Sequence, residues 1–279
     1  MPALDLDAYL GRISYRGPRD VSLETLRALQ WHHIRTIPFE NLDVLLGRRI
    51  RIDLASIEQK LVRDRRGGYC FEQNHLFAAV LRALGFGVVP LAARVRWQVL
   101  PGFPTPLTHM LLLVECDGAR YIADVGFGSM SLTAPLALDT DAEQPTPHEP
   151  RRLVRQPPAS PADGGGTLFM QQARLGADWA DVYQFSLQPQ LPIDYELANW
   201  FTSTHPESRF RQNLTAARAT DHCRHTILDR EFTTRYPDGR VVKRAIASPD
   251  ELLVLLAEYF DLHFPAGTRF GPPGSAWPS

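Results

Sequence analysis

Arg65-Arg66-Gly67-Gly68-Tyr69-Cys70-Phe71-Glu72-Gln73-Asn74 places a cysteine where a glycine-broken turn becomes a helix. A sulfur at a helix N-terminus faces unpaired backbone N–H groups and the positive end of the helix dipole, and both stabilise negative charge there. Cys70 is thereby positioned as a nucleophile. Two downstream residues complete the chemistry. His109 lies in Leu107-Thr108-His109-Met110-Leu111-Leu112-Leu113, and Asp124 in Tyr121-Ile122-Ala123-Asp124-Val125-Gly126-Phe127-Gly128. Together they read as a Cys-His-Asp acyl-transfer site.

The hairpin between the two segments can be worked out from its turn. Asp117-Gly118 is a strong two-residue hairpin signal. If these are the central turn residues, Cys116 pairs with Ala119, Leu111 faces Asp124 and His109 faces Gly126. Side chains alternate faces with period two, so His109 and Asp124 project on the same face. They become diagonal neighbours, roughly 7–8 Å apart at Cα. A four-residue loop preserves this parity, whereas a three-residue loop or a bulge breaks it.

Working outward, the first third reads as helical. Ser22 caps a helix through Leu23, Leu26, Leu29 and Ile34, ended by Pro38. A second helix is expected from about Asp53 through Ile57 and Leu61 to a stop at Gly67. A third starts near Cys70 and carries Phe77, Val80, Leu81 and Leu84 to Gly85-Phe86-Gly87. In the middle third, 88–99, 108–115 and 120–125 read as strands of an antiparallel sheet or barrel. The stretch 145–166 is dense in Pro, Gly and Ala and is expected to be a surface excursion or linker. In the last third, a strand over 226–236 meets 241–246 across Pro237-Asp238-Gly239-Arg240. Ser248, Pro249 and Glu251 then open a final helix with a capping box. The tail after Pro265 is expected on the surface.

Composition bounds the function classes. The chain has 279 residues, enough for two or three lobes, and a formal net charge of -1, which argues against a nucleic-acid partner. No apolar run approaches the ~20 residues of a membrane span, and the N-terminus lacks a signal-peptide pattern. Three cysteines point to reduced thiols in the cytoplasm.

Each site residue has an ordinary alternative: a small core cysteine, a hydrogen-bonded core histidine, a turn-shaping aspartate. Their conjunction, with the Arg-Gly-Gly lead-in and Asn74 one helical turn after Cys70, favours catalysis. Cys116 reads as structural, as do His32 and His33. His222-Cys223-Arg224-His225 lacks a second ligand pair at zinc spacing and reads as a polar loop, so no metal is expected. The Gly126-Phe127-Gly128 turn lacks the remaining elements of a phosphate-binding fingerprint.

On these residues the chain resembles the arylamine N-acetyltransferases. The motifs that carry the resemblance occur in order: Ile37-Pro38-Phe39-Glu40-Asn41-Leu42, Arg66 to Asn74, His109, Asp124 to Gly128, and Asn199-Trp200-Phe201-Thr202-Ser203-Thr204-His205-Pro206. The resemblance spans about 6–264. It implies a mixed α+β fold with a cysteine-protease-like triad core. The expected parts are a helical bundle over 1–86, an antiparallel β-barrel over 87–195 and an α/β lid over 196–279.

The resemblance further implies the triad Cys70, His109 and Asp124 and a ping-pong transfer of acetyl from acetyl-coenzyme A. The acceptor would be an arylamine, arylhydrazine or N-hydroxyarylamine. Phe39, Val95 and Phe127 would line the acceptor pocket. Gly126, Gly128, Ser203 and Thr204 would lie near coenzyme A. Arg66 with Glu40 or Glu72 would form a buried ion pair beside the site. Two other enzymes could use the same triad, an amide synthase closing a macrolactam from a carrier-bound chain and a Cys-His-Asp hydrolase. A binding module on this fold, or assembly into a homo-oligomer, is also open at this level.

Overall fold

The computed structural model describes residues 4–157 and 166–271. Helix α1 (Leu6–Arg12) is capped by Asp5, and α2 (Leu23–Thr36) by Ser22, whose hydroxyl accepts from the Thr25 N–H. The helix expected from Asp53 to Gly67 is shorter. Asp53 caps α4 (Leu54–Glu58), which widens into a π-helical turn over Gln59–Arg63 and stops at Asp64. Arg65, with φ 54°, takes the left-handed position. Gly67 serves another purpose: a Cβ there would collide with the carbonyl oxygen of Pro38. That close approach lets the backbone before Cys70 lie against β1 (Phe39–Glu40), with the Gly68 N–H donating to Pro38 O at 3.3 Å. Helix α5 (Cys70–Ala83) then runs through the centre of the largest apolar core, burying Phe71, Leu76, Phe77, Val80 and Leu81.

The middle of the chain forms one seven-stranded antiparallel sheet. Its strands are β2 (Gly87–Val95), β3 (Leu107–Cys116), β4 (Ala119–Ala123), β5 (Leu136–Ala137), β6 (Arg151–Gln156), β7 (Leu168–Leu175) and β8 (Asp178–Pro189). The order is β5-β4-β3-β2-β8-β7-β6. Gln144 brings the two outer strands together: its side chain bonds both backbone groups of Ala137 on β5, and its backbone exchanges hydrogen bonds with Arg151 on β6. The result is a nearly closed barrel. Alternation along β3 sets its two faces. Leu111 and Leu113 point into the barrel with Leu91, Ile122 and Phe185, while Met110, Leu112 and Val114 pack on the helices. The turn is as expected, with Asp117 and Gly118 at φ 50° and 70° and Cys116 paired with Ala119.

The stretch 145–166 is not simply a surface excursion, because it contains β6. Arg151 on that strand is fully buried, bonded to Glu149, whose carboxylate also takes the Arg224 guanidinium at 2.8 Å. Burial alone would raise Glu149, but the two guanidinium groups pull it down to about 2. Residues 158–165 of that stretch lie outside the described residues.

The last part forms α6 (Pro192–Thr204), α7 (Arg209–Gln212), strands β9 (Thr215–Ala219), β10 (Arg224–Leu228), β11 (Glu231–Arg235) and β12 (Val241–Ala245), and α8 (Pro249–Phe260). The single strand expected over 226–236 is a hairpin, broken by Asp229 at φ 50°. Arg224, expected in a polar loop, is a buried residue of β10. The five-stranded sheet has the order β1-β9-β10-β11-β12, so Phe39 and Glu40 from the first third complete it. Helix α3 (Leu42–Leu45) follows β1, and its Leu42 and Leu45 join the core of Leu214, Ile227, Phe232, Leu252 and Phe260. Ser248 caps α8 as expected, but Glu251 bonds the Ala247 N–H and so does not close the box on Ser248. Phe270, in the tail expected on the surface, is buried against Phe264. Among the described residues no helix is long and apolar enough to cross a membrane.

Candidate active site

Cys70 is the first residue of α5, and its position is fixed from behind. The Glu72 carboxylate accepts the Tyr69 N–H at 3.0 Å and the Lys60 ammonium at 2.7 Å. The π-helical turn carries Lys60 into this site, where it also meets Asp43 at 2.9 Å. Arg66 pairs with Glu40 at 2.7 Å and Asp43 at 3.3 Å. Of the two partners expected for Arg66, Glu40 is the one it takes, because Lys60 occupies Glu72. Burial pushes the Glu72 carboxyl up against the opposing pull of Lys60, and the surrounding acids outweigh burial to raise Lys60 itself.

The barrel brings the other two residues to Cys70. The Cys70 sulfur lies 3.5 Å from the carbonyl oxygen of Thr108, the residue before His109 on β3. His109 Nε2 and Asp124 Oδ2 are 2.7 Å apart, both groups almost fully buried. The other Asp124 oxygen accepts from Asn74 Nδ2 at 2.9 Å and from the Gly126 N–H at 2.8 Å. With Nε2 committed to Asp124, Nδ1 is the nitrogen left for the thiol. Burial would lower His109, but the charge and hydrogen bond of Asp124, helped by the adjacent Cys70 sulfur, raise it to about 10. Asp124 is correspondingly held below its ordinary range, the imidazole and the hydrogen-bond donors outweighing burial.

A small residue is essential where the barrel meets the helix. A Cβ on Gly126 would stand 2.7 Å from Cys70 Cα and 2.8 Å from Asn74 Nδ2. Gly128, at φ 86°, lies against the Phe39 ring, which a Cβ would approach to 3.0 Å. The two glycines expected near coenzyme A therefore also set the spacing of the site.

The aromatic residues form two groups, one around His109 and one around Phe39. Phe127 meets His109 edge-on at 5.1 Å between ring centres, and Tyr183 lies 5.1 Å from His109 and 5.6 Å from Phe127. Val95 pairs in register with Tyr183 and is half-buried. Phe39 is buried and packs on Phe210 at 5.9 Å. Tyr183 and Phe210 had no signal in the sequence, since each is an aromatic residue in an unremarkable context. Asn74 was visible by its spacing from Cys70, but not as the donor to Asp124.

Ser203 and Thr204 are not beside Cys70. Their hydroxyls bond back to the carbonyls of Asn199 and Trp200 within α6, and the residues line a separate groove of about 910 Å³ between α6 and the 47–53 loop. The thiol and imidazole of Cys223 and His225 are 3.3 Å apart, and no group of three or more metal-ligating side chains occurs among the described residues.

Comparison with known proteins identifies the family. Residues 22–268 match the family model described as N-acetyltransferase. The arylamine N-acetyltransferase of Mycobacterium tuberculosis is 43% identical over 94% of this chain and 90% of its own length. That of Escherichia coli is 42% identical over 92% and 88%. The solved M. tuberculosis structure superposes with a TM-score of 0.86 at 42% identity, covering 92% of this chain and 93% of that one. The M. marinum enzyme in complex with CoA gives 0.85 at 38%, covering 92% of each. The family match over most of the chain, 43% identity over nearly its whole length and the shared fold place this chain in the arylamine N-acetyltransferase family.

Proposed function

We propose that the chain transfers acetyl from acetyl-coenzyme A to arylamines, arylhydrazines or N-hydroxyarylamines, with Cys70 as the acetyl carrier, His109 as the proton-transfer group and Asp124 as its orienting carboxylate. The observation that carries this reading is the 2.7 Å His109–Asp124 contact beside the Cys70 sulfur, in a chain 43% identical to an arylamine N-acetyltransferase. A Salmonella typhimurium relative, 39% identical, bears the name arylamine N-acetyltransferase / N-hydroxyarylamine O-acetyltransferase, which supports both nitrogen and oxygen acceptors.

The chemistry proceeds in two halves. The Cys70 sulfur attacks the thioester carbonyl, its proton moving to His109, and coenzyme A departs with that proton. Acetyl now sits on Cys70. An arylamine, neutral at pH 7, attacks the acetyl carbonyl, His109 accepts its proton, and the amide leaves the regenerated thiol. Backbone N–H groups at the start of α5 are the natural donors to the tetrahedral oxygen. Phe39, Phe127 and Val95 supply apolar and aromatic surface for the acceptor ring, with Tyr183 behind Phe127. Cys70, Cys116 and Cys223 are all free thiols, in keeping with a reducing cytoplasm.

Intact-protein mass after mixing with acetyl-coenzyme A alone tests the reading. An acetyl adduct that is absent in Cys70→Ala and discharged by an arylamine supports it. A folded protein that gains no adduct overturns it.

A further inference from the structure

Three features of the chain converge on one buried carboxylate. The first is the π turn after α4, in which the Asp64 N–H closes on the Gln59 carbonyl, five residues back, at 2.8 Å. Such turns are rare and recur at functional sites. This one carries Lys60, whose ammonium lies 2.7 Å from Glu72 Oε1 and 2.9 Å from Asp43 Oδ2. The second is Gly68. A Cβ there would stand 2.7 Å from Glu72 Oε2 and 2.9 Å from its carboxyl carbon, so the missing side chain leaves room for the acid. The third is Glu72 itself, whose side chain is 2% exposed and turns back on the start of its own helix. Its Oε2 accepts the N–H of Tyr69, the residue immediately before Cys70, at 3.0 Å.

A carboxylate buried this deeply keeps its charge only beside a cation. The titratable and charged groups around Glu72 are Lys60 on the π turn, Glu40 on β1, Asp43 on α3, and Arg66 and Tyr69 in the segment before α5. Arg66 is taken by Glu40 at 2.7 Å and Asp43 at 3.3 Å, and Arg48 adds to Asp43 at 3.1 Å. Among the described residues Lys60 is the one cation in ion-pair contact with Glu72. Protonated, the carboxyl would lose its charge-assisted hold on the Tyr69 N–H, and its buried O–H would need an acceptor of its own. We propose that Glu72, held as a carboxylate by Lys60, is the positioning group that fixes Cys70 for reaction, so that proton uptake by Glu72 withdraws the nucleophile. Glu72 acts through the Tyr69 backbone, and Lys60 acts through Glu72. The inference rests on the reading of Cys70 as the acetyl carrier.

The test follows the pH dependence of Cys70 acetylation by acetyl-coenzyme A. Lys60→Met removes the cation at similar length. The acid limb of its rate profile should move up by about one pH unit or more, the shift that an opposite charge in contact imposes on a carboxyl. Lys60→Met/Glu72→Gln should bring the limb back, because the amide oxygen accepts the Tyr69 N–H and takes no proton. Lost packing alone would lower stability without moving a titration, and the second substitution would not repair it. A Lys60→Met profile that coincides with that of the unaltered protein overturns the inference, as does a double variant that stays shifted. Should Lys60→Met not fold, Glu72→Gln and Glu72→Met decide at neutral pH. Acetylation retained in the first and slowed roughly tenfold in the second supports the inference, and equal rates overturn it. Alkylation of Cys70 by iodoacetamide, mapped by peptide mass, is measured in the same proteins. If acetyl-coenzyme A loads none of them, the acetyl-transfer reading is what fails, and the alkylation profiles decide this inference: the same shift and repair support it, and their absence overturns it.

Discussion

Asn74 Nδ2 donates at 2.9 Å to Asp124 Oδ1, so a residue one turn into α5, the helix that opens on Cys70, holds the carboxylate that follows β4. The same amide nitrogen donates to Met110 O at 2.7 Å, and the amide oxygen accepts the Val125 N–H at 3.1 Å. One side chain thus locks α5 to β3 and to the segment after β4, the three pieces that carry the site.

Asn74→Ala should therefore affect both stability and rate. Removing three buried hydrogen bonds leaves Met110 O and the Val125 N–H unpaired, at a cost of about 2–4 kcal/mol. Denaturant unfolding reads the stability, and the rate of Cys70 acetylation reads the geometry. A fully stable variant with an unchanged acetylation rate would contradict the locking role.

Asp124→Asn isolates the charge. The carboxylate is what raises His109 to about 10. Without it, burial disfavours the imidazolium and the amide can present its NH₂ to Nε2, fixing the opposite tautomer. Acetyl transfer should fall on the order of 10³–10⁴-fold, as for the equivalent change in a Ser-His-Asp triad. An unaffected rate would remove Asp124 from the mechanism.

His33 should make stability depend on acid pH. It is fully buried between the Tyr9 hydroxyl at 2.8 Å and Gln73 Oε1 at 2.6 Å, and burial lowers it to about 4. The unfolded chain then binds a proton below about 6.5 that the folded chain refuses until about 4. Stability falls as pH drops through that window, by up to about 3 kcal/mol. Denaturation midpoints for His33→Gln should show a shallower slope between pH 6.5 and 4; an identical slope would assign the acid sensitivity elsewhere.

Glu149→Gln tests the buried ionic tie between barrel and C-terminal sheet. Glu149 neutralises both Arg151, fully buried on β6, and Arg224 on β10. Leaving two buried guanidinium groups without their carboxylate should cost about 3–5 kcal/mol. Thermal unfolding measures this, and a change within experimental error would show that other groups compensate.

Gly126→Ala probes the helix-to-barrel contact. Its methyl would stand 2.7 Å from Cys70 Cα, a backbone atom that cannot swing aside. Overpacking of this kind costs about 1–3 kcal/mol and pushes the nucleophile away from His109. Acetylation of Cys70 should slow more than stability alone explains; a rate loss matched by the fraction unfolded would make the glycine purely structural.

The parts of the site that local geometry governs were legible in the sequence. A two-residue turn at Asp117-Gly118 needs positive φ at both residues, and Asp-Gly supplies it, so the register of β3 with β4 and the shared face of His109 and Asp124 follow by counting. Cys70 at the start of α5 follows from the Gly-Gly break and the apolar spacing after it. Where the same reasoning failed, a longer-range contact had overridden composition. Gly67 did not end a helix because Pro38 presses against it, and β6 survives in a Pro/Gly-rich stretch because Arg151 pairs there with Glu149. The sequence alone determined the helix that opens on Cys70 and the register that sets His109 beside Asp124, because each depends on backbone dihedrals and period within one segment. Only the tertiary structure decided that the segment after β4 docks on α5 through Gly126, that Tyr183 packs on His109 and Phe210 on Phe39, and that Ser203 and Thr204 line a groove with several arginines, because those relationships are set by packing between segments far apart in the chain.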